Sequence, residues 1–138
     1  MSSFTTKLVV EYLPKINKWK TKRELVYFVG EEYSEERIVV PRGFITDFAS
    51  IPWPASMLIP KSGRYNQAAV LHDWLYDRAG VLDNKTYTRA EADKIFLEAM
   101  TVLKVNKFKR WVMYRHVRVW SWIFWNNHSY KNEKRRKK

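Results

Sequence analysis

The stretch "AAVLHDWLYD", residues 68 to 77, places side chains capable of acid–base chemistry and metal binding within an apolar run. His72 and Tyr76 are four residues apart, so on a helix they lie on the same face, while Asp73 projects from the adjoining side. Histidine acts as a base near neutral pH, and a carboxylate is a ligand that hard cations prefer. The spacing therefore predicts a local site with a base, an anionic oxygen ligand and a hydroxyl.

A second acid, Asp93, lies among the apolar residues of the stretch "EADKIFLEAM". The connection "AGVLDNKTY" is short, which favours an antiparallel helix pair that could bring Asp93 to His72. A carboxylate in that position would fix the tautomer of the imidazole and stabilise its charged form. The alternative is that His72, Asp73 and Asp93 form a buried polar network that fixes helix packing, because buried polar groups must be paired.

The elements "AAVLHDWLY" and "EADKIF", in this order, resemble the phospholipase A2 superfamily, especially its short viral members. The resemblance covers about residues 66 to 100 and implies a phospholipase A2-like helix pair. It further implies that His72 is the general base for a water and that Asp93 orients His72. It also implies that Tyr76 hydrogen-bonds within this network and that Asp73 holds Ca²⁺. Bound calcium would polarise an ester carbonyl.

The glycine-rich loop that supplies calcium ligands in that superfamily has no counterpart in this sequence. The stretch "PRGFITDFASIP" is the candidate substitute, with Asp47 as a second metal-binding carboxylate and Ser50 or backbone carbonyls completing the shell. The alternative for Asp47 is a turn or N-cap acid that satisfies backbone N–H groups.

Three stretches together, "VPRGFITDFASIP", "VLHDWLY" and "RAEADKIFLEAM", also resemble a family of phage and prophage proteins of unknown function. This resemblance covers roughly residues 38 to 125. It implies a phage or prophage setting and a small sheet followed by helices, and it assigns no activity.

The N-terminal part of the chain predicts a small sheet. Residues 6 to 40 contain the β-rich runs "KLVVEYL", "ELVYFV" and "RIVV", separated by polar stretches such as "PKINKWKTKR". This pattern is typical of an antiparallel sheet, here of two to four strands. We expect a single α+β domain over residues 1 to 128, with the sheet followed by three helices, and a basic disordered tail over residues 129 to 138.

Helical spacing of apolar residues begins near residue 66, and Gly80 is the expected end of this first helix. The second helix opens with Thr88, and Glu91 follows three residues later. This pair predicts a capping box, in which each side chain satisfies a backbone N–H of the first turn. The third helix spans "NKFKRWVMYRHVRVWSWIFW".

The third helix is expected to pack through an apolar side and to expose a basic and aromatic one. The apolar set is Phe108, Val112, Met113, Val119, Trp120 and Ile123. The set predicted to form an interface or to bind anions is Lys107, Arg110, Trp111, Tyr114, Arg115, Arg118 and Trp122. Four roles are open: a solvated face, an anionic membrane contact, a nucleic-acid contact and an interface with phage structural proteins. Nucleic acid is the least favoured partner class, because no base-reading motif appears.

Composition limits the class of protein. The chain has 26 lysines and arginines, 14 acidic residues and a formal net charge of +12, which favours a polyanionic neighbour. It has no cysteine, which excludes disulfides and cysteine-based zinc sites. The N-terminus lacks the pattern of a signal peptide, and no run reaches the roughly 18 apolar residues of a membrane span. We expect a soluble protein of the virion or of the host cytoplasm.

These observations lead to two hypotheses. The first is a phage-encoded phospholipase A2-like module, a metal-assisted ester hydrolase acting at the host envelope, with the basic aromatic helix at the membrane. The second is a noncatalytic virion protein of the tail or baseplate, or an assembly protein, that uses this helix as an interface. A hydrolase requires His72 to face an open cleft and Asp93 to lie within hydrogen-bond reach of it.

Overall fold

The structure is a computed structural model, and it describes residues 2–31, 33–46, 65–82, 85–120 and Trp125. Short strands come first along the chain and three helices follow, which confirms the expected α+β arrangement. Three residues predicted to have functional roles, Asp47, Ser50 and Trp122, lie outside the described residues, as does the predicted basic tail.

Among the residues that the structure describes, six short strands form two antiparallel sheets. The strands are β1 (Ser3–Phe4), β2 (Val10–Leu13), β3 (Lys18–Thr21), β4 (Leu25–Phe28), β5 (Arg37–Val40) and β6 (Ile45–Thr46). The strand order is β1-β4-β5 in the first sheet and β2-β3-β6 in the second. The sequence pattern predicted one sheet of two to four strands and did not indicate β3, because lysines such as those of β3 are typical of a polar connection. In the structure Trp19 is half-buried and Thr21 fully buried between exposed lysines, which is the alternation of a strand.

The first sheet supplies one wall of the core. Leu25 pairs with Val40 and Tyr27 pairs with Ile38, and all four side chains are completely buried. They share one face because side chains alternate along a strand and these positions are in register. The Tyr27 hydroxyl donates a hydrogen bond of 2.5 Å to Oε1 of Glu98, which ties this sheet to the second helix.

The helices are α1 (Asn66–Asp77), α2 (Arg89–Val102) and α3 (Lys107–Trp120). Helix α1 is the central element, since five of its apolar side chains are completely inaccessible: Ala68, Ala69, Val70, Leu71 and Leu75. The capping box of α2 is confirmed: the Thr88 hydroxyl accepts from the Glu91 backbone N–H, and the Glu91 carboxylate accepts from the Thr88 N–H. These bonds lower the pKa of Glu91.

Gly80 allows α1 and α2 to pack closely through a short connection. Its φ is +77°, and a Cβ at this position would lie 1.9 Å from the backbone oxygen of Tyr87. The Gly80 N–H donates to the Leu75 carbonyl and the Gly80 carbonyl accepts from the Tyr87 N–H, at 2.9 and 2.8 Å. Only glycine combines this backbone conformation with so close an approach.

Helix α3 packs on α2 through a face that differs in part from the predicted one. Met113 and Val117 are buried, whereas Phe108 and Val119, which were expected to pack, are 63 % and 54 % exposed. The helical period identifies which residues share a face, but a helix with aromatic residues on both sides does not reveal which face packs. In the part of the chain that the structure describes, no helix has the length and apolar character needed to cross a membrane.

Candidate active site

His72 of α1 and Asp93 of α2 form the centre of the site. The Nε2 atom of His72 lies 2.8 Å from Oδ1 of Asp93. The side chain of His72 is 4 % exposed and that of Asp93 is completely buried. The contact joins two antiparallel helices at residues 21 positions apart. The pairing predicted from the short connection is therefore present.

Two aromatic side chains hold the imidazole in place. The Tyr76 ring, one helical turn after His72, lies with its centroid 4.3 Å from that of the imidazole, and its hydroxyl donates a 2.5 Å hydrogen bond to Oδ1 of Asp93. Phe96 of α2 stacks on the imidazole with centroids 4.6 Å apart and planes inclined by 28°. His72 therefore has little freedom to rotate.

Two arginines also lie beside Asp93, and neither was predicted to belong to the site. Nη1 of Arg118, on α3, donates a 2.8 Å hydrogen bond to Oδ2 of Asp93. Nη1 of Arg89 lies 3.7 Å from the same oxygen and donates to the backbone carbonyl of Arg118. Arg89 and Asp93 are four residues apart, and on a helix this spacing indicates that their side chains are neighbours. No local pattern links Arg118 to Asp93, and the helical period predicted Arg118 on the outer face of its helix.

The charge state of Asp93 follows from its partners. Burial raises the pKa of this carboxyl, but the hydrogen bond and charge of His72, together with the bonds from Tyr76 and Arg118, outweigh burial and hold the pKa below its usual value. The ionised carboxylate is a pure acceptor, so Nε2 of His72 carries the proton of their shared hydrogen bond. With the proton on Nε2, the lone pair of the neutral ring lies on the opposite nitrogen, Nδ1.

Asp73, the predicted metal ligand, is half-buried beside the second sheet. The hydroxyl of Thr46, a buried residue of β6, donates to Oδ2 of Asp73. Phe44 and Trp74 make an edge-to-face contact nearby, with centroids 5.2 Å apart. The second sheet therefore packs against α1 one residue away from His72.

The described residues supply part of a calcium site. Calcium takes six to eight oxygen ligands, whereas Asp73 and Thr46 offer two side chains with oxygen atoms. No group of three or more histidine, cysteine or acidic side chains suited to a metal occurs among the residues described. These residues do not by themselves fit the ion.

The residues predicted to form an interface on α3 fall into two groups. Lys107, Trp111 and Arg115 are exposed. Arg110, Tyr114 and Arg118 are half-buried: Arg110 donates to the Val105 carbonyl, and Arg118 contacts Asp93.

Comparison with known proteins identifies the family. The family model described as "Protein of unknown function (DUF1353)" matches residues 19–117. The chain belongs to this family. The match includes His72, Asp73, Tyr76 and Asp93 and ends one residue before Arg118. It confirms the resemblance to a family of unknown function that the sequence suggested. No curated protein and no solved structure matches the chain.

Proposed function

We propose that this member of the DUF1353 family is an ester hydrolase with phospholipase A2-like chemistry, in which His72 activates a water molecule. The observation that carries the proposal is the 2.8 Å contact between His72 Nε2 and the buried Asp93 carboxylate. An orienting acid on one nitrogen of an imidazole leaves the other nitrogen available as a base, and it stabilises the imidazolium that forms.

The proposed reaction has two proton transfers. Nδ1 of His72 takes a proton from water as the water oxygen bonds to the ester carbonyl carbon. The resulting tetrahedral intermediate collapses by breaking the bond to the alcohol oxygen, which receives the proton from Nδ1. The products are a carboxylic acid and an alcohol, and His72 returns to its neutral state. General base catalysis of this kind contributes about 10²- to 10⁴-fold.

Tyr76 and Arg118 are positioning residues in this proposal, because both act through Asp93. Tyr76 donates to the oxygen that also binds His72, and Arg118 to the other oxygen, so the carboxylate cannot rotate away from the imidazole. Asp73 is the residue at which we place calcium. It would require further oxygen ligands beyond Thr46.

The biological setting is also part of the proposal. The stretches "VPRGFITDFASIP" and "VLHDWLY" support a phage or prophage origin through their resemblance to such proteins. The resemblance of "AAVLHDWLY" and "EADKIF" to phospholipases A2 supports a lipid ester as the substrate and the host envelope as the place of action.

A specific observation favours the second candidate function, a noncatalytic virion or assembly protein. His72 is 4 % exposed and stacks against Phe96, as expected for a polar network that fixes helix packing. In that case the cluster contributes stability and specificity of packing rather than chemistry.

Release of fatty acid from phosphatidylglycerol and phosphatidylcholine vesicles, with calcium and with a chelator, tests the first candidate. His72→Gln keeps a polar side chain but removes the base, and His116→Gln, on α3, is the matched control. We expect release by the wild type and by His116→Gln, and a loss of at least about 100-fold in His72→Gln. A folded wild type without activity, or equal activity in both variants, would favour the noncatalytic candidate.

A further inference from the structure

The outward side of α3 carries large side chains that remain accessible to solvent. Phe108 is 63 % exposed, Trp111 52 % and Val119 54 %, and Arg115 is exposed between them. Their spacing of i, i+3, i+7 and i+11 places all four on one helix face. We call this set, Phe108, Trp111, Arg115 and Val119, the α3 stripe. Exposed apolar side chains that form a continuous patch mark an interaction surface.

The segment that carries the α3 stripe has basic side chains and no acidic one. Residues 103 to 120 contain six lysines and arginines and no acidic residue. Lys104 and Lys107 are exposed at its N-terminal end. The guanidinium of Arg115 lies over the Trp111 ring, 5.7 Å from its centroid, so a positive charge stands directly beside an exposed aromatic side chain. A partner that fits must be both anionic and apolar.

An open depression of about 770 Å³ adjoins the N-terminal end of the α3 stripe, between α2 and α3. Leu97, Phe108 and Trp111 contribute apolar lining, and Lys107 and Arg110 contribute positive charge. A phospholipid offers the matching pair of features, a hydrocarbon chain and a phosphate.

The geometry points to the α3 stripe as a docking surface for an anionic lipid bilayer. Its aromatic and aliphatic side chains enter the headgroup region, and the neighbouring lysines and arginines contact lipid phosphates. Nucleic acid fits less well, because contacts to a phosphate backbone use cations and leave Phe108 and Val119 without an apolar partner. A second copy of the chain would bring two surfaces of like charge together.

This surface is separate from the contacts around His72. Bilayer binding goes beyond the proposed hydrolysis, since a protein binds a membrane whether or not it cleaves an ester. Co-sedimentation with vesicles measures binding directly, so its result does not depend on the chemistry of His72.

The experiment uses the full chain with two kinds of vesicle, pure phosphatidylcholine and equal parts of phosphatidylcholine and phosphatidylglycerol. We expect binding to the anionic vesicles that weakens as salt is added, and much weaker binding to the neutral ones. Phe108→Ser combined with Trp111→Ser should weaken binding on the order of tenfold or more. Arg115→Glu and Lys107→Glu should each weaken it by about fivefold or more.

A matched control removes apolar side chains of similar exposure elsewhere. Ile16 and Tyr33 are 52 % and 75 % exposed, and Ile16→Ser combined with Tyr33→Ser should bind as the wild type does. Thermal unfolding confirms that each variant is folded. The proposal is overturned if the wild type does not sediment with anionic vesicles, or if the control loses as much binding as the α3 variant. It is also overturned if only the charge reversals weaken vesicle binding, because the protein would then attach by electrostatics without inserting side chains. Binding of the α3 stripe to duplex DNA or to an acidic protein, without binding to vesicles, would overturn it as well.

Discussion

Replacing Asp93 with asparagine tests the carboxylate at the centre of the site. Asp93 is completely buried and accepts hydrogen bonds from His72, Tyr76 and Arg118. Asparagine preserves the size of the side chain but removes the charge and one acceptor oxygen. Breaking a buried ion pair costs about 3–5 kcal/mol. Because Arg118 is 33 % exposed and can return to water, we expect a smaller loss of about 2–3 kcal/mol in the free energy of unfolding.

The pH dependence of this loss has a definite sign. The pKa of Asp93 in the folded chain lies below its usual value, so its ionised form stabilises the fold above about pH 4. This contribution disappears as the pH falls through the folded-state pKa. The difference in unfolding free energy between wild type and Asp93→Asn should therefore persist from neutral pH down to about pH 4 and should shrink as the pH falls further.

Urea unfolding followed by tryptophan fluorescence measures this difference at neutral pH and at the lowest pH at which both proteins remain folded. A loss of about 2–3 kcal/mol corresponds to a fall in Tm of roughly 5–12 °C for a chain of this size. Glu35→Gln, which removes an exposed acid, is the control and should change stability by less than about 0.5 kcal/mol. A difference that stays constant into acid would refute the assignment of Asp93 as an ionised, paired carboxylate.

Three further predictions concern other parts of the site and its support. Tyr76→Phe removes the hydroxyl that binds Asp93 and should lower the free energy of unfolding by about 1–2 kcal/mol in urea; an unchanged value would mean that this bond contributes nothing. Gly80→Ala places a Cβ against the Tyr87 carbonyl and should cost more than about 3 kcal/mol, so a wild-type Tm would contradict the geometry of the α1–α2 connection. Calcium should release heat on binding and raise the Tm of the wild type but not of Asp73→Asn, and an equal response of the two proteins would remove Asp73 from any metal site.

Much of the site was predictable from the sequence, because it rests on short-range patterns. The helical period places His72 and Tyr76 on one face of α1. The capping box at Thr88 identifies where α2 begins, and a short connection makes the two helices antiparallel neighbours. Those features suffice to bring Asp93 to His72. The proposed chemistry depends on this pair.

Only the tertiary structure revealed the contacts between elements that are distant along the chain. Arg118 meets Asp93 across 25 residues, and Thr46 meets Asp73 across 27. Both contacts depend on how α3 and the second sheet are rotated and placed against the first two helices. The same placement exposes Phe108 and buries Val117. Periodicity along a chain identifies the residues that share a helix face. Which face packs into the core and which stays exposed depends on how all the apolar faces of the protein compete for burial.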